Sequence, residues 1–345
     1  MSTPQSIRRL GRYPLLPVVV LMAVGFQIAT GSFVDHENLV GIASDSATLA
    51  MVAVPSALLV ISGYLDLSVG STWALGAVAA GWWASSHHGS LVGCALVAVA
   101  AGLAVGAVNG LLCCGLGLSP FIVTLGSLTA VRGLAQQLAP LPLTGFSTSF
   151  AWLGGSSTAG IPTPVILAVI VVLVAGFVLL ATPVGRHIYA IGVSREAAYL
   201  SGVRVRTVPF VIFLLTGASA GLAGAIKASV LGAVQSGTSG LGFELSVLTA
   251  VLVGGVALSG GSGSLFGVVL GVAFLGILQN GLTLMGVPTF WQQVAQGVAL
   301  MVAAGLAYLG PRLEALTAVR PPAVQPPTAP EGEQLSTATV MTSQP

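Results

Sequence analysis

Six polar side chains stand inside or at the edge of hydrophobic stretches of this sequence: Asp66, Ser68, Asn109, Thr124, Glu244 and Asn280. Polar and ionisable groups at membrane depth are costly, and they face one another or a polar path. One chemistry open to them is therefore the passage of a polar solute. A second role is structural. Asp66-Leu67-Ser68-Val69 and Glu244-Leu245-Ser246-Val247 each open an apolar run, where an acid meets the free N–H groups and positive end of a starting helix. Asn109 and Asn280 equally suit hydrogen bonds between packed helices. Both roles stay open for each residue.

Covalent chemistry has no equipment here. No Ser/His/Asp or Cys/His constellation occurs, and no catalytic residue is expected. Cys94, Cys113 and Cys114 lie in or beside one apolar run without redox or metal spacing, and read as small buried hydrophobes. His87 and His88 have no acid or cysteine near them, so they read as a polar loop tip and no metal site is expected. The glycine-rich "SGGSGS" (259–264) lacks the lysine of a phosphate-binding loop; the sole lysine, Lys227, sits inside an apolar run. Energy for active transport must come from an ion gradient or from another chain.

The elements that position these groups follow from composition. Apolar residues make up 55% of the 345 and charged residues 6%, against roughly 25% charged in a soluble domain. The fold class expected is all-α, a polytopic membrane protein of about ten spans. They fall near 14–31, 47–64, 71–86, 91–114, 121–137, 164–182, 209–231, 244–259, 265–286 and 290–309. Nine of the eleven Lys and Arg lie before span one, between spans six and seven, or after span ten. The positive-inside rule makes those segments, and both termini, cytoplasmic. The exceptions, Arg132 and Lys227, sit near outer span ends, where they can snorkel or face the bundle. Asp35, Glu37 and Asp45 read as an outer loop, and 138–163 as the largest external connection. The net charge of +2 says nothing about nucleic acid, because the basic residues follow membrane topology; the surroundings expected are lipid, with no nucleic-acid partner. The first apolar run lacks a small-x-small cleavage site and reads as an uncleaved span. The organisation is thus a cytoplasmic N-terminus (1–13), a membrane domain (14–310) containing a cytoplasmic loop (183–208), and a Pro-rich disordered tail (311–345).

The two halves echo each other. The acid-Leu-Ser-Val element, the Asn-Gly-Leu element (109–111, 280–282) and a Pro/Phe element (120–121, 288–290) recur in spans five apart and in the same order. A five-span unit repeated once is inverted in the membrane, an arrangement common among transporters. In the cytoplasmic loop, Ser194 suits an N-cap, Glu196 a first turn and Gly202 a C-terminal cap. A two-turn helix results, which is either a docking element for a soluble partner or an ordinary positive-inside loop.

Several blocks carry a resemblance to a known family: "YLDLSVGS" (64–71), "NGLL" (109–112), "SPFIVTLGSLTAVRGLAQ" (119–136), "YAIGVSREAAYLSGVRV" (189–205), "FELSVLTAVLVGGVALSGGSGS" (243–264) and "NGL" (280–282). In this order they resemble the permease subunits of bacterial ribose-type sugar ABC importers, which include permeases for xylose, galactose, inositol and autoinducer-2. The resemblance spans about 35–310. It implies a homo- or heterodimer of ten-span permeases in the bacterial plasma membrane. It further implies a cytoplasmic ABC ATPase that holds ATP and Mg, and an extracytoplasmic sugar-binding protein. This chain would need no cofactor of its own. The loop from Ser194 to Gly202 would contact the ATPase, making Arg195, Glu196, Ala197, Ala198 and Gly202 coupling candidates beside the capping Ser194. Two positions depart from the family pattern: Gly192-Val193-Ser194 stands where Gly-Gly-Asn is usual, and Gly63-Tyr64-Leu65-Asp66 where Gly-Gly-Ile-Asp is usual. The competing function is a gradient-driven transporter or channel working alone. A non-transporting scaffold is disfavoured by polar residues in several spans.

Overall fold

A computed structural model describes residues 15–86 and 89–317. The N-terminal arginines, the His87-His88 tip and the tail beyond 317 lie outside the described residues. In chain order the helices are α1 (Leu15–Thr30), α2 (His36–Ile61), α3 (Val69–Ser86), α4 (Leu91–Gly110), α5 (Pro120–Leu138), α6 (Thr148–Gly155), α7 (Thr163–Ala181), α8 (Pro183–Val193), α9 (Arg195–Leu200), α10 (Thr207–Leu231), α11 (Phe243–Val253), α12 (Leu265–Leu284) and α13 (Thr289–Thr317). A π turn, Leu111–Gly115, continues α4. The protein is an all-α membrane protein, and each expected span overlaps a helix, although α11 ends at Val253, short of the expected 259. Among the described residues, five stretches are long and apolar enough to cross a bilayer: α2, α4 with its π turn, α7, α10 and α12. Local signals set their starts. Ser90 and Ser264 accept from the N–H groups of Gly93 and Gly267 at 3.2 and 3.0 Å, as N-caps do.

Several boundaries differ from the sequence reading. The outer loop assigned to Asp35, Glu37 and Asp45 is mostly helix, because α2 starts at His36 with Glu37 in its first turn, where the macrodipole favours an acid. The connection 139–162 holds α6 and three short strands, β1 (Leu143–Thr144), β2 (Ser157–Thr158) and β3 (Ile161–Pro162), of which β2 and β3 pair antiparallel. Strand β1 pairs with β4 (Ala233–Val234), tying the first half of the chain to the second. The segment 183–208, expected to be cytoplasmic, carries two helices, since Pro183 opens α8 ahead of the expected α9. Helix α13 runs to Thr317, past the limit of 310 expected for the membrane domain. Its "LEALT" ending is helix-forming.

The described residues up to Ala307 form one compact unit, and a second begins at Tyr308, of which the described residues are the final turns of α13. The first unit is built around α10, which packs on α4, α3 and α2. The contact with α4 is backbone to backbone: a Cβ on Gly102 would strike the carbonyl of Gly217, and one on Gly217 that of Gly102. Small residues permit such approach where lipid offers helices no hydrophobic drive to associate. Along α2 every residue from Ala47 to Ile61 except Ala50 is buried, so α2 forms the middle of the bundle. Around it lie α10, α7, α12 and α11.

Candidate functional site

Helix α2 orders the interior spaces of the protein along one axis. Ile42, Asp45, Ser46 and Leu49, near its start, line a cavity of about 350 Å³. Further on, Ser56 and Val60 line a gap of about 10 Å³, together with Leu65, Asp66, Glu244 and Val247. Its C-cap Ser62 lines a third cavity of about 470 Å³ with Gly63, Tyr64, Ser119, Arg195 and Glu196. From Asp45 to Ser62 is roughly 25 Å of helix. Two chambers at opposite ends of the bundle are therefore separated by a constriction with room for about one water.

The constriction is built from broken helices. Between α2 and α3 the chain leaves helical form at Ser62 and resumes it at Val69. Within this break Asp66 Oδ1 accepts from the backbone N–H of Ser68 at 2.8 Å and from its hydroxyl at 2.6 Å. The Asn109 amide donates to Ser68 Oγ at 2.8 Å, while Asn109 Oδ1 accepts from Ser127 Oγ at 2.5 Å. Thr124 Oγ1 donates to the Pro120 carbonyl at 2.8 Å. Ser68, Asn109 and Thr124 are fully buried and Asp66 is 8% exposed. These four sequence-selected residues are thus brought together by α3, α4 and α5. Each satisfies a neighbour, so in this conformation the cluster holds three helices in register and lines no open channel.

Glu244 approaches from the other half. It lies in the first turn of α11, and the backbone of Gly70 packs so closely on its carboxylate that a Cβ there would overlap Oε2. That oxygen is buried with no hydrogen-bond partner. The turn before Glu244 is braced by Arg132, whose guanidinium donates to the carbonyls of Ser239 and Gly240, the second at 3.0 Å. Arg132 therefore faces the bundle. Lys227 pairs at 2.6 Å with Asp45 of α2. Asn280 stands apart from the other candidates: it exchanges amide hydrogen bonds of 2.9 and 3.0 Å with Asn38 and borders the 350 Å³ cavity.

Three participants have no marker in the sequence reading: Ser127, Gln279 and Gln296. They reveal a second echo. In the first half the helix-start Ser68 is linked through Asn109 of α4 to Ser127 of α5. In the second, the helix-start Ser246 accepts from Gln296 of α13 at 2.8 Å, and Gln296 Oε1 accepts from Gln279 of α12 at 3.5 Å. Ser127 and Gln296 each lie six residues beyond the phenylalanine of the Pro/Phe element. Counting from that element would have found both.

At the far end of α2 lies the short helix expected from the sequence. Ser194 caps α9 by accepting from Ala197 N–H at 3.2 Å, and Gly202 (φ 80°) closes it in the left-handed form that glycine tolerates. Arg195, Glu196, Ala197 and Gly202 are exposed. Ala198 is not: it is buried against Ile191 and Val205, because the inward face of a six-residue helix resting on α8 must be apolar. It is excluded as a surface contact. The Arg195 guanidinium lies 5.8 Å from the centre of the Tyr64 ring, so the helix touches the broken segment leading to Asp66. Tyr189 of α8 donates to the Gly263 carbonyl at 2.9 Å, and Gly261 N–H to that of Ile61 at 2.8 Å. The "SGGSGS" turn is accordingly a structural clasp between α8 and α2.

Two chambers, a closed constriction between broken helices and an exposed helix coupled to one of those breaks define a multi-pass membrane permease. Comparison with known proteins agrees. The chain belongs to the family described as the branched-chain amino acid transport system / permease component, which residues 38–304 match. It is 37% identical over 303 residues to the ribose import permease protein RbsC of Escherichia coli (strain K12), covering 84% of this chain and 91% of that one. It is 31% identical to the D-allose transport system permease protein AlsC of the same strain, over 84% of this chain and 89% of the relative. To the L-arabinose ABC transporter permease protein AraH of Azospirillum brasilense it is 33% identical, over 87% of each. No solved structure matches the chain.

Proposed function

We propose that this chain is the permease subunit of an ATP-binding-cassette importer. It carries a monosaccharide or similar small polar solute across the bacterial cytoplasmic membrane, with energy from a separate ATPase chain. The observation that carries the reading is α9. A capped helix exposes Arg195, Glu196 and Ala197 on the outside while its base rests on α8 and Arg195 reaches Tyr64. A partner that moves α9 therefore has a physical route to the break holding Asp66. A transporter working alone has no need of such a helix.

The family description names amino acids, whereas the ribose, allose and arabinose permeases among the relatives are all named for sugars. These similarities extend over most of each chain and favour a sugar. The ten helices that match the expected spans support ten crossings. With six spans before the basic loop and four after it, both termini are cytoplasmic. The paired links Ser68–Asn109–Ser127 and Ser246–Gln296–Gln279 support a five-plus-five inverted repeat. Two such chains, or this chain and a related one, form the working pair in the lipid bilayer. ATP and Mg reside in the cytoplasmic ATPase, and an extracytoplasmic sugar-binding protein delivers the solute. Differential contacts in outward- and inward-facing states, without a covalent step, open one chamber while closing the other.

The test is uptake of radiolabelled D-ribose, D-allose and L-arabinose into vesicles, with L-leucine as the control. ATP-dependent sugar uptake that requires both the ATPase and the binding protein is expected. Uptake driven by an ion gradient through this chain alone would overturn the reading.

A further inference from the structure

The 350 Å³ cavity at the start of α2 has the size of a small-molecule site and a lining unlike the rest of the interior. Trp73 of α3 and Phe243 of α11 form one wall, their ring centres 5.8 Å apart and their planes tilted by 36°. Opposite chemistry comes from Ser46, Gln279 and Gln292. Several of these groups are unspent. Trp73 is 7% exposed and its Nε1 is buried without a partner, as is the hydroxyl of Ser46. The Gln292 amide nitrogen donates to Thr283 Oγ1 at 3.2 Å and to the Val287 carbonyl at 2.9 Å. No described residue donates to the amide oxygen of Gln279 or of Gln292. Two orphan donors and two open acceptors thus stand beside an aromatic wall.

We propose that this cavity binds one neutral, polyhydroxylated solute, a monosaccharide in chemical class, through Trp73, Phe243, Ser46, Gln279 and Gln292. A sugar ring offers a C–H face to an aromatic wall, and its hydroxyls both donate and accept. It can satisfy indole N–H, serine hydroxyl and amide oxygens together, whereas an aliphatic side chain would leave them unpaired at a cost. Charge argues the same way. The charged groups at the cavity, Asp45 and Lys227, are already joined at 2.6 Å. An anion therefore finds no unpaired cation among the described lining residues, whereas a neutral solute needs none. A second cavity of about 400 Å³ shares Ser246, Gln279 and Gln292 and adds Gln293 and Gln296, so polar groups continue beyond the first chamber.

This inference rests on the sugar-importer reading, and the experiment separates the two. The full complex of permease, ATPase and sugar-saturated binding protein is reconstituted, and sugar taken up per ATP hydrolysed is measured with D-ribose, D-allose and L-arabinose. If the wild type carries none of them, the importer reading fails and the site with it. Otherwise Gln279→Leu, Gln292→Leu and Trp73→Phe are expected to lower the sugar-to-ATP ratio about three- to tenfold, the worth of one lost hydrogen bond. Binding-protein-stimulated ATP hydrolysis is measured beside the ratio, so that sugar lost from the site is separated from a general loss of coupling. A wild-type ratio in the variants would overturn the site. So would a lowered ratio accompanied by a lowered thermal midpoint and a lost stimulation of hydrolysis, which would make the side chains structural.

Discussion

Asp66 and Glu244 line the same gap of about 10 Å³, one in the break before α3 and the other in the first turn of α11. Asp66 is supported within its own half, by Ser68 and through it by Asn109, whereas the turn before Glu244 is held across the halves by Arg132 of α5. The halves also meet where the backbone of Gly70 packs against the Glu244 carboxylate. Separation of α3 from α11 would open the constriction without breaking a hydrogen bond between the acids. The first test follows from that contact. Gly70→Ala places a methyl group where Glu244 Oε2 now sits. It should force the two helices apart, cost roughly 1–3 kcal/mol of stability and raise ATP hydrolysis uncoupled from sugar. Thermal unfolding and basal hydrolysis in vesicles measure the two effects.

The buried link through Asn109 is a three-member network, so its parts should not behave additively. Asn109→Ala leaves Ser68 and Ser127 each short of a partner and should cost about 1–2 kcal/mol. Ser127→Ala alone should cost less. In the double variant the losses should fall short of their sum by about 0.5 kcal/mol or more. Unfolding midpoints in detergent test this, and strict additivity would show that the 2.5 Å contact contributes nothing.

The outer bounds of this architecture were legible because lipid imposes them. The apolar runs had to be helices, and the α9 caps were readable in the hydroxyl of Ser194 and in the missing side chain of Gly202. Repeated acid-Leu-Ser-Val elements also marked both helices that start inside the bundle. What stayed hidden depends on rotation and depth. Ala198 and Ala197 are adjacent and identical in type, yet one is buried and the other exposed. Only the docking of α9 on α8 decides which. Asn109 and Asn280 occupy matching places in the two Asn-Gly-Leu elements, but one supports the constriction and the other pairs with Asn38 in a cavity. Asp45 read as a loop acid because its partner, Lys227, is distant in sequence and meets it only once α2 and α10 pack. Ser127 and the glutamines were missed because uncharged polar residues stand out little against a run of small ones.

Helix α9 supports a three-way comparison. Glu196→Arg reverses an exposed charge and should abolish co-purification of the ATPase while leaving insertion of the permease intact. Ser194→Ala removes the cap, costs about 1 kcal/mol locally and should weaken co-purification only in part. Ala198→Glu buries a charge beside Ile191 and Val205 and should destabilise the whole cytoplasmic face. Pull-down yields beside thermal midpoints separate these outcomes, and undiminished co-purification by Glu196→Arg would remove α9 from the interface.

The packing of α10 on α4 depends on the absence of side chains. Gly217→Val would drive its Cβ into the carbonyl of Gly102, and backbone cannot yield as a flexible side chain can. The expected loss is about 3 kcal/mol or more, at the upper end of overpacking penalties. Gly126, with open space around it, is the control: Gly126→Ala in α5 should be neutral or stabilising, since alanine favours helix by roughly 1 kcal/mol. Opposite shifts in the two unfolding temperatures are expected.

Arg132 tests whether the turn before Glu244 is held by charge or by geometry. Its two terminal nitrogens reach the carbonyls of neighbouring residues, Ser239 and Gly240. A planar guanidinium can span both at once, whereas a lysine ammonium is a point donor on a flexible stem. If charge alone mattered, Arg132→Lys would preserve the attraction to Glu244 and transport would survive. If the fork matters, Arg132→Lys should lose most of the transport lost by Arg132→Gln, because neither fixes the turn that presents Glu244 to Gly70. The geometry supports the fork: Gly240 is also in tight contact with Gly70, where a Cβ would come within 2.8 Å of its carbonyl oxygen. A displaced turn would therefore shift the constriction itself. Sugar uptake by Arg132→Lys at more than half the wild-type rate would assign the role to charge.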